Sequence, residues 1–207
     1  MNTIWEITFM MLAALSIASC NSDKEEETVS GSDVQRALLE MRNSYSGELR
    51  YGLKDKSDKQ VLKDYTARSA EGLTISLPLE PIAEQVKDAA IAQKIRALGS
   101  AEVYGNYQFE AVDESGNARF VLQPQMVADE RIATPLTRTQ LTQPVTNSGL
   151  TLLFTGIYAG HFVKGNDALV FNICVGQVLI DNELLEGFQP VIYTFQGTAT
   201  AVGDLSM

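Results

Sequence analysis

Residues 150–180 read LTLLFTGIYAGHFVKGNDALVFNICVGQVLI, and this stretch decides the fold. Large apolar side chains take the even positions of its first half and the odd positions of its second: Leu150, Leu152, Phe154, Tyr158 and Phe162, then Leu169, Phe171, Ile173, Val175 and Leu179. Successive side chains of a β-strand point to opposite faces of a sheet, so each set lies on one face. The pattern predicts two β-strands that each bury one face.

The dipeptide Gly165-Asn166 lies between the two halves and suits a two-residue hairpin loop. A loop at these two residues sets the pairing of the arms: Phe162 opposite Leu169, Tyr158 opposite Ile173, Gly160 opposite Phe171 and Gly156 opposite Val175. This register brings the two apolar faces together, and a slip of one residue would separate them. We therefore predict one long antiparallel hairpin.

The first half of the chain predicts one capped helix followed by three strands. Ser32 and Gln35 have the spacing of a capping box with Ser32 as the N-cap, and an apolar helical stripe follows as far as about Asn43. Alternating apolar residues then indicate strands at Tyr45–Leu53, Gln60–Ala67 and Leu73–Leu79.

The middle of the chain predicts two short helices and a second hairpin. Apolar side chains after Pro81 fall on two opposite sides of a helix, which favours a break near Asp88 and a final cap at Gly99. The second hairpin has Ser115-Gly116 at its turn, arms at 101–112 and 118–127, and the predicted pairs Phe109 with Leu122 and Ala111 with Phe120.

Residues 128–148 show little periodicity, apart from an edge strand predicted at Leu136–Leu141. Irregular segments of this length are uncommon in compact domains and are often functional. After the central hairpin, Asp181–Gly187 is predicted to be a connection with one helical turn. Alternation from Val191 onward predicts a half-exposed final strand.

These elements predict an α+β fold whose sheet is mainly antiparallel, because hairpins dominate. We expect about eight strands in a hairpin-rich sandwich or open barrel, with two or three short helices. The predicted organisation is a leader over residues 1–19, an anchor and acidic tether over residues 20–31, and a single globular domain over residues 32–207.

The leader is a short apolar run that ends in Ile17-Ala18-Ser19-Cys20. It falls short of the roughly 20 apolar residues of a membrane-spanning helix but has the length of a signal-peptide core. Small residues before a Cys resemble a bacterial lipobox, which implies cleavage before Cys20 and lipid attachment to it. Cleavage elsewhere, with Cys20 unmodified or removed, is the alternative. The leader carries Glu6 and no Lys or Arg, which is unusual for a signal peptide, and a start codon farther upstream would account for it.

An acidic segment, Asn21-Ser22-Asp23-Lys24-Glu25-Glu26-Glu27, follows Cys20 directly. It resembles the export tag of Bacteroidetes surface lipoproteins, and this resemblance covers residues 7–27. The resemblance implies a lipoprotein of the outer membrane, of a family of unknown function, exposed at the cell surface. A periplasm-facing orientation is one alternative, and a merely solvated tether is another.

The charge of the chain bears on its partners. The net charge is −10, and removal of Glu6 with the leader would make it −9. An acidic body is a poor electrostatic match for nucleic acid or anionic lipid headgroups, so we expect no nucleic-acid partner and contact with the membrane through the N-terminal lipid. The single Trp, Trp5, would also leave with the leader.

Residues with catalytic potential are few. His161 is the only histidine, and Cys174 would be the only free thiol after acylation of Cys20, so we assign both structural roles. Phosphate-binding glycine motifs and the nucleophile elbow do not occur in the sequence. Acidic pairs such as Asp113-Glu114 and Asp129-Glu130 fall in predicted turns or loops and are interpreted as surface charge. We predict no catalytic residue, metal ligand or cofactor.

Three residues form the predicted binding surface: Tyr104 on the polar face of its strand, and Arg131 and Arg138 in the irregular segment. The alternative for Tyr104 is packing under a neighbouring loop. The leading hypothesis is a surface-anchored, non-catalytic binding or accessory module. A second is a structural or assembly subunit of a fimbrial or envelope complex, because the apolar stretch Val170–Val175 could accept a partner strand. A third is a hydrolase, which needs two carboxylates that converge in a cleft.

Overall fold

The computed structural model describes residues 29–134, 136, 149–156 and 158–200. Its helices are α1 (Gly31–Met41), α2 (Glu80–Ala83), α3 (Ala89–Leu98) and α4 (Glu130–Ala133). Its strands are β1 (Asn43–Leu53), β2 (Gln60–Ser69), β3 (Leu73–Pro78), β4 (Ser100–Val112), β5 (Ala118–Met126), β6 (Leu150–Phe154), β7 (Tyr158–Val163), β8 (Ala168–Ile180), β9 (Glu183–Leu184) and β10 (Val191–Ala199).

Eight of these strands form a closed antiparallel barrel. They follow the order β10-β1-β2-β3-β4-β5-β7-β8, and β8 pairs with β10 to complete the circle. The remaining two strands, β6 and β9, pair with the far half of β8. The structure confirms the prediction of a mainly antiparallel sheet with short helices, and the sheet closes on itself because its last strand reaches both β1 and β8.

The register of the central hairpin is as predicted near its turn, where Phe162 pairs with Leu169 and Gly160 with Phe171. Gly165 and Asn166 lie at the centre of the turn as predicted, and the Asp167 amide donates to the Lys164 carbonyl at 3.2 Å, but the unpaired loop is longer than two residues. Val163 and Ala168 form the last pair, and a 3₁₀ turn over Lys164–Asn166 joins them through Asp167. The Lys164 amide does not close the hairpin, because it donates to Oδ1 of Asn117 in the neighbouring turn at 3.0 Å.

The first arm of the hairpin is not continuous, which corrects the prediction of one long strand. Strand β6 ends at Phe154 and β7 begins at Tyr158, and Gly156 between them has a φ of 103°. Beyond the break Leu150 pairs with Ile180 and Phe154 with Val175, so the register shifts relative to the turn. The shift is a β-bulge, which adds a residue to one strand and reverses which side chains face inward. Val178 is therefore buried in place of the predicted Leu179.

The second hairpin has the predicted arms but a different register. Phe109 pairs with Phe120, and not with the predicted Leu122. The turn is a five-residue loop, 113–117, in which the Asp113 carboxylate accepts hydrogen bonds from the backbone and side chain of Asn117. A bulge between Phe109 and Ala111 adds a further shift. The side chain of Asp113 thus stabilises a longer loop than the Ser-Gly dipeptide suggested.

The helices cover the two ends of the barrel. At one end α1 packs Ala37 and Met41 into the core, and its Glu40 forms an ion pair with Lys164 in the β7–β8 turn. At the other end α2 and α3 connect β3 to β4 and bury Ile82 and Ile95. The described helices are all too short, or too polar, to cross a membrane.

The helix boundaries confirm most of the sequence predictions. Asp88 separates α2 from α3, and its carboxylate accepts hydrogen bonds from the first amides of α3. Gly99 ends α3 with a φ of 76°. The N-cap of α1 is Ser30 and not Ser32, since the Ser30 hydroxyl accepts from the Asp33 amide. The helical turn predicted within 181–187 is wrong, because Glu183–Leu184 pairs with β8.

Aromatic and branched side chains from all around the barrel meet in its interior. Phe171 stacks on Phe195 with ring centroids 5.3 Å apart, and Tyr107 meets Phe120 edge to face at 4.9 Å. The largest fully buried side chains are Tyr45, Tyr193, Phe120, Phe162, Phe195 and Met41. A closed barrel of eight strands has an interior just wide enough for such side chains to fill it.

We predict that Gly160→Ala will destabilise the barrel. A Cβ at this position would collide with the Phe120 ring and press on the Val170 carbonyl oxygen at 3.0 Å. Overpacking of this kind costs about 1–3 kcal/mol, measurable as a lower denaturant midpoint. The control is Gly165→Ala, where the space is open and we expect a change within about 0.5 kcal/mol. Equal effects of the two substitutions would contradict the prediction.

Candidate functional site

The outer face of strands β3 and β4 is the candidate functional surface. Leu73, Ile75 and Leu77 point into the core, so the residues between them point outward. These outward residues pair across the two strands: Thr74 with Tyr104, Ser76 with Glu102 and Pro78 with Ser100. Two shallow depressions lie along this face, and each holds one of the predicted binding residues.

The first depression, here called the Tyr104 cleft, has a volume of about 360 Å³. Its lining residues are Arg42, Arg68, Ala70, Glu71, Gly72, Thr74 and Tyr104. Three parts of the fold meet there: the end of α1, the β2–β3 turn and the β3–β4 pair. The Tyr104 ring packs directly against the backbone of Gly72. A Cβ added at Gly72 would collide with the ring.

Tyr104 differs from the other tyrosines in its hydroxyl group. The chain has seven tyrosines, all within the described residues. The other six donate a hydroxyl hydrogen bond to a protein oxygen, and burial raises the pKa of each: Tyr45, Tyr51, Tyr65, Tyr107, Tyr158 and Tyr193. The Tyr104 hydroxyl makes no hydrogen bond to another described residue, and the side chain is only half-buried. The hydroxyl of Tyr104 therefore has unused hydrogen-bonding capacity within the described part of the chain.

The two arginines of the Tyr104 cleft are exposed and unpaired. Neither Arg42 nor Arg68 has a side-chain hydrogen bond or an ion pair with any residue that the structure describes. Glu71 lines the same cleft without forming an ion pair to either of them. Two guanidinium groups without a partner among the described residues therefore line the same cleft as a half-buried aromatic ring, in a protein whose net charge is −10.

The second depression, here called the Arg131 cleft, has a volume of about 510 Å³. Arg131 is bound to its neighbour Asp129, with Nη2 2.7 Å from Oδ2. Asp129 also accepts the Arg131 amide and so caps α4. These hydrogen bonds lower the pKa of the Asp129 carboxyl, and the same pairing raises the pKa of Arg131. The charge of Arg131 is largely neutralised within the chain.

The other two predicted site residues, Cys20 and Arg138, lie outside the described residues. Tyr104 and Arg131 occupy separate clefts on one face of the barrel. Sequence reasoning missed Arg42 and Arg68. The alternation of β2 marks Arg68 as outward-facing, but the approach of Arg42 depends on how α1 packs against the end of the barrel.

His161 and Cys174 lie on the outer faces of β7 and β8 and are half-buried. Burial lowers the pKa of the His161 imidazole and raises the pKa of the Cys174 thiol, so both groups favour their neutral forms. Within the described part of the chain, no group of three His, Cys, Asp or Glu side chains could hold a metal ion. The structural roles assigned to the two residues stay predictions.

Asp181 joins Leu136, within the irregular segment, to Gly149, the residue that follows the segment. Its Oδ1 accepts hydrogen bonds from the Leu136 amide at 3.0 Å and the Gly149 amide at 2.8 Å. The Leu136 carbonyl accepts a further bond from Lys94, and the Leu136 side chain is buried. The predicted edge strand, Leu136–Leu141, lies outside the described residues except for Leu136.

We predict that Asp181→Ala will destabilise the protein by roughly 1–3 kcal/mol, since two buried amides lose their acceptor. Asp181→Asn keeps a carbonyl oxygen and tolerates the left-handed backbone of this position, where φ is 50°, so it should lose distinctly less. Urea unfolding of both variants measures the difference. Equal losses for Ala and Asn would show that the acceptor oxygen is not what matters.

Comparison of the chain with protein-family models, with curated proteins and with solved structures finds no match.

Proposed function

We propose that the protein is a lipid-anchored binding or accessory module of the bacterial cell surface, which binds its ligand on the outer face of β3 and β4. One observation carries the binding proposal: Tyr104 is the tyrosine whose hydroxyl has no partner among the described residues, and it lines the same cleft as two arginines that have no ion pair among those residues. Exposed aromatic and arginine side chains are typical of recognition surfaces.

The anchor part of the proposal is supported by the sequence. The lipobox resemblance assigns the lipid to Cys20, and the acidic residues after it resemble a surface-export tag. A tether of about ten residues would then separate the lipid from Gly31, the first residue of α1. Localisation to the outer membrane follows from the resemblance, with the medium-facing side proposed and the periplasmic side as the alternative.

The hypothesis of an assembly subunit has less support. It was motivated by the apolar stretch Val170–Val175, which could pair with a strand from another protein. In the structure this stretch lies between β10 on one side and the broken β6–β7 arm on the other. Strand pairing within the barrel therefore occupies the edges that a partner strand would need.

The hydrolase hypothesis rests on the Arg131 cleft, which Glu102, Asp129 and Glu130 line together. A general acid needs a raised pKa, whereas the hydrogen bonds from Arg131 lower the pKa of Asp129. Asp129 is also engaged as the cap of α4. The cleft thus offers carboxylates without the environment that would keep Asp129 protonated.

We predict that Cys20→Ala will move the protein from the membrane fraction to the soluble fraction of its native host. Removal of the acyl chains removes the only membrane attachment that we propose. Cys174→Ala is the matched control and should stay membrane-bound, because this thiol lies on β8. Mass spectrometry of the native protein showing an unmodified Cys20 would refute the anchor.

We predict that the binding activity will depend on the Tyr104 cleft. Mature protein is screened on ligand and glycan arrays and by co-purification from intact cells. Tyr104→Ala should abolish the signal, while Arg119→Gln, an exposed arginine on β5, should leave it unchanged. Failure to bind any array ligand, together with no co-purifying partner, would refute the binding module.

A further inference from the structure

We infer that the Tyr104 cleft binds a small ligand that carries a carboxylate on a six-membered ring. This inference rests on the proposed function, because it names the ligand chemistry of the same surface. The guanidinium groups of Arg42 and Arg68 would donate hydrogen bonds to the carboxylate, and the Tyr104 ring would pack against the face of the ligand ring.

The carboxylate part of the inference comes from the two arginines. Other arginines near acidic groups are paired within the chain, as in Arg36–Asp33, Arg96–Glu80 and Arg131–Asp129. Arg42 and Arg68 lack such partners although Glu71 lines the same cleft. A guanidinium presents a planar fork of donors that matches the two oxygens of a carboxylate, so an unpaired arginine is a natural receptor for this group.

The ring part of the inference comes from Tyr104. The Tyr104 ring lies against Gly72, which fixes one side of it, and Thr74 is the backbone partner of Tyr104 on β3. The free hydroxyl adds one hydrogen-bond donor and acceptor beside the aromatic face. Flat apolar surface next to a polar group suits a ring substituent better than a flexible chain.

The size and the charge of the cleft limit the ligand. About 360 Å³ lies at the lower end of the range for small-molecule sites, which is roughly 300–1,000 Å³. Glu71 stands within the cleft, and the net charge of the whole chain is −10. A singly charged ligand can approach the two arginines under these conditions, whereas an extended polyanion meets repulsion from the rest of the surface.

The test is a titration of the mature protein with two carboxylated rings, glucuronate and benzoate, at low ionic strength. Chemical-shift changes in ¹H–¹⁵N spectra report binding at millimolar ligand, and the preferred compound distinguishes a sugar acid from an aromatic acid. We expect Arg42→Gln and Arg68→Gln each to weaken binding at least tenfold. Arg119→Gln makes the same change in net charge on β5 and should leave binding within twofold.

Tyrosine nitration gives an independent readout. Tetranitromethane attacks exposed tyrosine, and the other six hydroxyls are hydrogen-bonded with raised pKa values. Peptide mass spectrometry should find Tyr104 modified first, and the bound ring should protect it. Tyr104→Phe should retain most of the affinity, and Tyr104→Leu should lose it.

Three results would overturn the inference: no binding of either compound, equal binding of glucose or polyglutamate, or equal weakening by Arg119→Gln. Its failure can be told apart from failure of the proposed function. One outcome is that array ligands bind and that Arg42→Gln and Arg68→Gln leave this binding unchanged. This outcome supports the binding module and refutes only the carboxylate site. If nothing binds in either experiment, both the binding module and the carboxylate site are refuted.

Discussion

The pairing of β8 with β10 is the constraint on which the rest of the structure depends. It runs without interruption from Val191 opposite Val175 to Thr198 opposite Ala168. Because β10 also pairs with β1, this ladder joins the last strand of the chain to the first and closes the sheet. Closure removes the exposed edges of a sheet and gives the apolar strand β8 neighbours on both sides.

Closure also separates the interior of the molecule from the candidate functional surface on the outer face of β3 and β4. Alternate residues of each barrel strand enter the core, and the aromatic side chains that enter it are fixed by packing and hydroxyl hydrogen bonds. Tyr104 belongs to the other set of alternating residues of β4, whose side chains lie on the outer face of the barrel. The same alternation that fills the barrel therefore leaves one aromatic ring beside Arg42 and Arg68 on its outer wall.

Local pattern predicted where the strands lie, but not how they pair along their full length. The apolar alternation gave correct positions for β1, β2, β3 and β10, and the pair Phe162–Leu169 was correct. The predicted register was wrong where a β-bulge shifts the pairing or where a side chain forms hydrogen bonds within the turn. Asp113 enlarges one turn, and the break at Gly156 shifts the pairing of β6 with β8. Apolar alternation reports which face a side chain takes, but it does not report bulges, left-handed residues or side-chain hydrogen bonds such as that between Asn117 and Asp113.

The sequence by itself determined the antiparallel hairpins, the helix break at Asp88 and the placement of Tyr104 on the outer face of its strand, because each follows from side-chain periodicity or capping chemistry within a few residues. Only the tertiary structure decided that the sheet closes, that Arg131 is paired with Asp129, and that Arg42 and Arg68 stand beside Tyr104. The closure of the sheet and the approach of Arg42 and Arg68 to Tyr104 depend on strand pairing and helix packing, which bring together groups far apart in the chain. The pairing of Arg131 with Asp129 joins residues only two positions apart, and it depends on the local geometry of the loop that precedes α4.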